Sequence, residues 1–169
     1  MGLGKALGFS LLAYVGLNFL FIIISYTISG DLNLLFSSIT SNPLIILLIF
    51  FGPIVDVPSS EIFALYGKIA FGTFDFSLIQ TIGFIVTPFV ASIVAGRTGG
   101  SKGASFGGWM ITCLISSTAL GVLGFINPAI LGIPPAGEVI FLITVSISAA
   151  INGVFYGCFA LLFTKTEMY

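Results

Sequence analysis

The residues best placed to do chemistry are Asp56, Ser59, Ser60 and Glu61, two carboxylates and two hydroxyls crowded between Val55 and Ile62. Asp56 and Glu61 are the nearest thing to a carboxylate pair in the chain, and the set could line a binding site for a small solute. Other chemistry is scarce. With no histidine, haem and catalytic-metal sites lose their usual ligand, and no Ser-His-Asp set can be assembled. Cys113 and Cys158 lie in separate apolar runs without CxxC spacing, so they read as small hydrophobes rather than a disulfide or metal pair. The chain is therefore expected to be no enzyme and to carry neither cofactor nor metal.

A second cluster lies in the run from Ala95 to Ser105, rich in glycine and holding Arg97 and Lys102. It lacks the G-x-x-x-x-G-K-[ST] order of a phosphate loop and follows no strand pattern. Cations beside a helix start still suit an anion, and a lipid headgroup is the expected one, with plain anchoring as the simpler role.

The elements that must position these groups follow from charge scarcity. Only 11 of 169 residues are charged, 5 basic and 6 acidic, and mean hydropathy is +1.21. A water-soluble surface needs roughly a quarter of its residues charged, so this chain is expected to face a lipid bilayer. The net charge of −1 excludes a nucleic-acid footprint. Long unbroken apolar runs predict helices rather than a β-barrel. The expected fold is an all-α integral membrane protein, one polytopic domain over 1–169, with spans at 7–28, 76–95, 105–126 and 139–163. The first of these, Leu7–Ile28, is too long for a signal-peptide core, lacks an A-x-A-like cleavage site, and reads as a retained anchor. Pro88 should free the carbonyl of Phe84, with the Thr87 hydroxyl in reach to help satisfy it. Asn127–Gly137, with Pro128, Pro134 and Pro135, should form a rigid connection.

The stretch Gly30–Asp75 is broken. Asn42-Pro43 suits a helix start, Gly52-Pro53 interrupts the apolar run Leu44–Phe51, and Pro58 enforces extended backbone at Val57. Ser60 and Glu61 then suit the cap and acidic first turn of a second short helix, Ile62–Gly72. The expectation over about 43–72 is a broken helical hairpin, re-entrant or on the surface, between the first and second full spans. If it makes no net crossing, Lys5, Arg97, Lys102 and Lys165 share one face, which the positive-inside rule places in the cytoplasm with both termini.

Small residues recur at helical spacing: Gly103 and Gly107, Ser117 and Gly121, and Ala149, Gly153 and Gly157, with Gly4 and Gly8 on the first helix. In lipid, such positions permit close helix packing, and any surplus ridge could dock a partner. Asn18 and Asn152, deep in the first and last spans, should face inward and most simply bond to each other. Trp109 and several tyrosines, Tyr169 included, suit interfacial anchors. These features point first to an accessory or scaffold subunit of a larger membrane complex, partnered by other subunits or a second copy. The alternative is a small solute-transport component whose site is the broken segment 43–72, an architecture broadly similar to small vitamin-uptake membrane components, though without a family motif. Lipid or quinone binding is a third reading.

The orientation is testable by cysteine substitution. An impermeant thiol reagent applied outside cells is expected to label cysteine at Gly137 and not at Ser101; the reverse pattern would overturn it.

Overall fold

The computed structural model describes residues 2–165. It is 85% helix, with no strand among the described residues. Four helices are long and apolar enough to cross a membrane: α1 (Gly2–Ser29), α5 (Phe76–Gly99), α6 (Lys102–Ile126) and α7 (Glu138–Leu162). α5, α6 and α7 lie within about one turn of their expected bounds, while α1 starts at Gly2 rather than Leu7. Between α1 and α5 stand α2 (Leu32–Ser41), α3 (Ile45–Phe51), a 3-10 turn at Gly52–Ile54 and α4 (Pro58–Ala70). Tyr169 lies outside the described residues.

The long helices form a four-cornered bundle in which α1 and α7 each pack against both α5 and α6. Gly2 lies against Gly99, and the Ser25 hydroxyl donates to the carbonyl of Phe76 (3.0 Å), so α1 and α5 run antiparallel. One end of the bundle therefore gathers Lys5, Arg97, Lys102 and Lys165. The other gathers Asp31, Asp75 and Glu138, with Lys68 joined to the Ser77 hydroxyl. These are the basic and acidic ends below. Asp75 caps α5, accepting from the amides of Ser77 (3.0 Å) and Leu78 (3.2 Å), and the Ser77 hydroxyl holds its carboxyl below the usual range. Gly100, at φ 70°, closes the same helix in the left-handed conformation that glycine adopts without strain.

The small residues are used inside the bundle. Gly153 and Gly157 receive Met110 and Phe106 of α6, so a Cβ there would come within 2.6 Å of the Met110 sulfur and 2.5 Å of the Phe106 ring. Ala149 and Ser117 are buried, Gly121 faces Leu142, and Gly107 faces Leu3. Gly103 is different: it lies in the exposed first turn of α6 with open space beside it. The closest approach on α6 is at Gly108 instead, whose Cβ would meet Ala6 at 2.6 Å and the Leu7 amide nitrogen at 2.9 Å. Gly4 and Gly8 face open space.

The helix α2 was not expected. Its Leu32, Leu35 and Ile39 form a short apolar stripe against Ile22 and Ile49. Its exposed hydroxyls, on Ser37, Thr40 and Ser41, bond back to carbonyls within α2, so they do not compete with the helix. Asn42 closes α2 and also accepts from the Leu44 amide (3.3 Å), starting the next turn of chain.

The broken segment dips into the bundle and returns. The α3–3-10 unit and α4 meet at 94°. Val57 is extended (φ −85°, ψ 152°), as Pro58 demands, and α4 starts at Pro58 rather than Ile62. Ser60 is no cap; its hydroxyl donates to the Val57 carbonyl (2.8 Å). Packing runs from α1 and α6 around α3, through α5, α6 and α7 around the 3-10 turn, to α5 and α7 along α4. Gly52, Pro53 and Ile54 are buried at the centre, while both flanks of the segment lie at the acidic end.

Gly108→Ala should drive α6 from α1 and lower stability by about 1–3 kcal/mol, read as a reduced melting temperature in detergent. Gly4→Ala, facing open space, should leave melting unchanged or slightly raised. Equal responses would mean that the α1–α6 approach is not tight.

Candidate functional site

The break creates backbone carbonyls with no helical partner. In an unbroken helix the Ile49 carbonyl would accept from residue 53, but Pro53 has no N–H. The amide nitrogen of Asn18 supplies the missing donor at 2.6 Å. The Asp56 carbonyl precedes the first turn of α4, and Asn152 donates to it at 2.8 Å while also donating to Ser148 (2.9 Å). Both asparagines are buried. They do not bond to each other as the sequence suggests. The broken turn lies between α1 and α7, and its unpartnered carbonyls are the stronger claim on each amide.

Trp109 completes this interior. It is fully buried rather than interfacial, its ring flanked by Tyr14 and Tyr156 with centroids 6.1 Å away on either side. Its indole N–H donates to the Asn152 carbonyl at 3.4 Å, so the polar edge finds a partner without reaching an interface. Ser10 and Thr112 share a hydrogen bond at 2.7 Å. Three buried atoms have no partner among the described residues: the hydroxyls of Tyr14 and Thr87 and the side-chain oxygen of Asn18. Thr87 thus does not serve the carbonyls near Pro88. Tyr156 makes a long 3.5 Å approach to the neighbouring Ile85 carbonyl instead.

Between the break and the acidic end lies a cleft of about 380 Å³. Leu48 and Ile49 of α3 form one wall, Ile22 and Tyr26 of α1 another, and Gln80 and Phe84 of α5 a third. Ile49 belongs to both features: its side chain lines the cleft and its carbonyl is held by Asn18. No charged residue lines the cleft, so it suits a neutral solute with one or two hydrogen-bonding groups. Gln80 is the residue that sequence reading missed. Its signal was available, since an amide inside an apolar span is the feature that singled out Asn18 and Asn152.

The expected site set is divided. Asp56, Ser59 and Ser60 are exposed and Glu61 half-buried, and none of them lines the cleft. They leave the bundle with α4 across α5 and α7. There Glu61 lies within hydrogen-bonding reach of the Asp56 carboxyl, with Lys68 and Tyr156 near enough to interact with its charge. Asp56 stands level with Asn152, in the middle of α7, so a carboxylate that is in a loop by sequence sits at mid-depth of the bundle. The broken segment thus carries a carboxylate side chain to a depth at which the four long helices have none. Arg97 and Lys102 lie at the basic end, far from the cleft. Cys113 is buried and Cys158 exposed. The described residues contain no group of three His, Cys, Asp or Glu able to hold a metal ion.

Asn18→Leu or Asn152→Leu leaves a buried carbonyl unpartnered, and each should lower stability by about 1–3 kcal/mol. Because both hold one hairpin, the double variant should lose less than the sum in thermal unfolding; strict additivity would mean that the two contacts are independent.

Comparison with known proteins finds no matching family model, no matching curated protein and no matching solved structure.

Proposed function

We propose that the protein crosses a membrane through α1, α5, α6 and α7, with the basic end and both termini cytoplasmic. We further propose that it is a non-catalytic component of a transport system that binds a small neutral solute in the outward-facing cleft. The observation that carries this reading is the cleft wall: it is a broken, re-entrant helix whose backbone is held by two buried asparagine amides. Interrupted helices at mid-membrane are where transporters commonly place binding sites. The holding contacts are also weak. A side-chain hydrogen bond inside a membrane contributes about 1 kcal/mol, so two of them fix the hairpin without making its displacement prohibitive. Gln80 and Tyr26 would orient the solute, and Ile22, Leu48 and Phe84 would supply apolar contact.

The scaffold reading keeps one specific support. Gly4 and Gly8, with Phe9 and Leu12, leave a shallow open groove on α1 of the kind that another helix can enter. Gly107, Gly153 and Gly157 of the α6 and α7 ridges, by contrast, face side chains within the chain.

Mass spectrometry of the protein purified in mild detergent separates the two. The transport reading expects a small molecule to co-purify and to be lost on Gln80→Leu with the fold retained. A fixed stoichiometric protein partner, with no small molecule retained, would overturn it in favour of the scaffold.

A further inference from the structure

We propose that the basic end holds a phosphate-bearing anion in a hollow formed by Lys5, Arg97 and Lys165. The hollow measures about 310 Å³ and is also lined by Gly2, Thr98 and Gly100. Three of the chain's five cations, from α1, α5 and the chain just after α7, converge on it. Sequence reading paired Arg97 with Lys102, but Lys102 starts α6 beyond the hollow's rim, and Lys5 and Lys165 take its place.

The hollow is a product of the fold. Gly2 and Gly99 bring the start of α1 against the end of α5 so closely that a Cβ on Gly2 would overlap the Gly99 carbonyl. That approach places Lys5, one turn into α1, beside Arg97. Gly96 meets the Ala160 carbonyl, with a Cβ-to-oxygen distance of 2.6 Å, which draws the end of α7 and hence Lys165 to the same place. Arg97 is not free to swing away, because its guanidinium lies over the Phe163 ring, 5.6 Å from the centroid.

The acidic groups of the described residues lie away from these charges. Among the described residues, Asp31, Asp75 and Glu138 lie at the opposite end, and Asp56 and Glu61 lie at mid-depth. Three like charges around one hollow repel unless an anion sits among them, and a phosphate offers several acceptor oxygens to match their donors. Two sources share this chemistry: the headgroup of an anionic lipid in the adjoining leaflet, and a soluble phosphate. The proposal stands independently of the cleft and its solute.

The test uses the full chain reconstituted in vesicles of equal phosphatidylglycerol and phosphatidylcholine, followed by native mass spectrometry of retained lipid. A parallel arm follows thermal unfolding in neutral detergent with inorganic phosphate added. Preferential retention of phosphatidylglycerol supports the site with lipid as the source; stabilisation by phosphate supports it with a soluble source. The affinity behind either effect should fall roughly a hundredfold in Lys5→Gln/Arg97→Gln/Lys165→Gln, given roughly 1 kcal/mol per cation, and persist in Lys102→Gln. Lys5→Arg/Lys165→Arg, which keeps charge and bulk, should behave as the native chain, and single Lys165→Gln reads the effect should the triple variant not fold. Equal retention of both lipids with no response to phosphate would overturn the proposal. So would an equal loss in Lys102→Gln.

Discussion

A backbone carbonyl buried away from water must find a donor, and in this chain that requirement organises the centre of the molecule. Gly52-Pro53 interrupts a helix in the middle of an apolar bundle and leaves the Ile49 carbonyl without its helical partner. Asn18 and Asn152, on opposite corners of the bundle, donate to the Ile49 and Asp56 carbonyls. The indole of Trp109 and the ring of Tyr156 fill the space around Asn152. The four long helices are thus arranged around a broken fifth element as much as around one another.

Room for that element comes from where side chains are missing. At the basic end, Gly2 against Gly99, Gly96 against Ala160 and Gly108 against Ala6 draw the helices into backbone approach. At the acidic end, α3 enters between α1 and α6, and the cleft opens there, with Leu35 of α2 and Ile130 of the Pro128–Leu131 turn on its lining. Tight packing at one end and an inserted hairpin at the other give the bundle its polarity. The same approach of helix ends that closes the basic end also gathers Lys5, Arg97 and Lys165 around one hollow.

Much of this was legible in the sequence, and the exceptions share a cause. Long apolar runs marked α1, α5, α6 and α7, and proline placement marked the break, because both are local properties. That 30 and 75 lie at the same end was reached from five cations alone. The partners of Asn18 and Asn152 were not legible, since they depend on which unpartnered carbonyl the fold carries to each amide. Trp109 suited an interface by type and is buried because α6 turns that face inward. Asp56 read as a binding-site candidate on a hairpin either re-entrant or on the surface, and the fold carries it to the level of Asn152 yet leaves it outside the cleft. In each case position along the chain was a poor guide to depth in the bundle.

The central claim is that the hairpin enters to mid-depth and returns. Spin labels on cysteines placed at Asp56 and Ala70, in the chain reconstituted in bilayers, read depth through relaxation by oxygen and by a water-soluble nickel chelate. A re-entrant hairpin predicts that the label at Asp56 reports the bilayer centre, with high oxygen and low nickel accessibility. The label at Ala70 should then report the headgroup level on the same side as Asp75. Two labels both at headgroup depth, or Ala70 on the opposite face from Asn42, would contradict it.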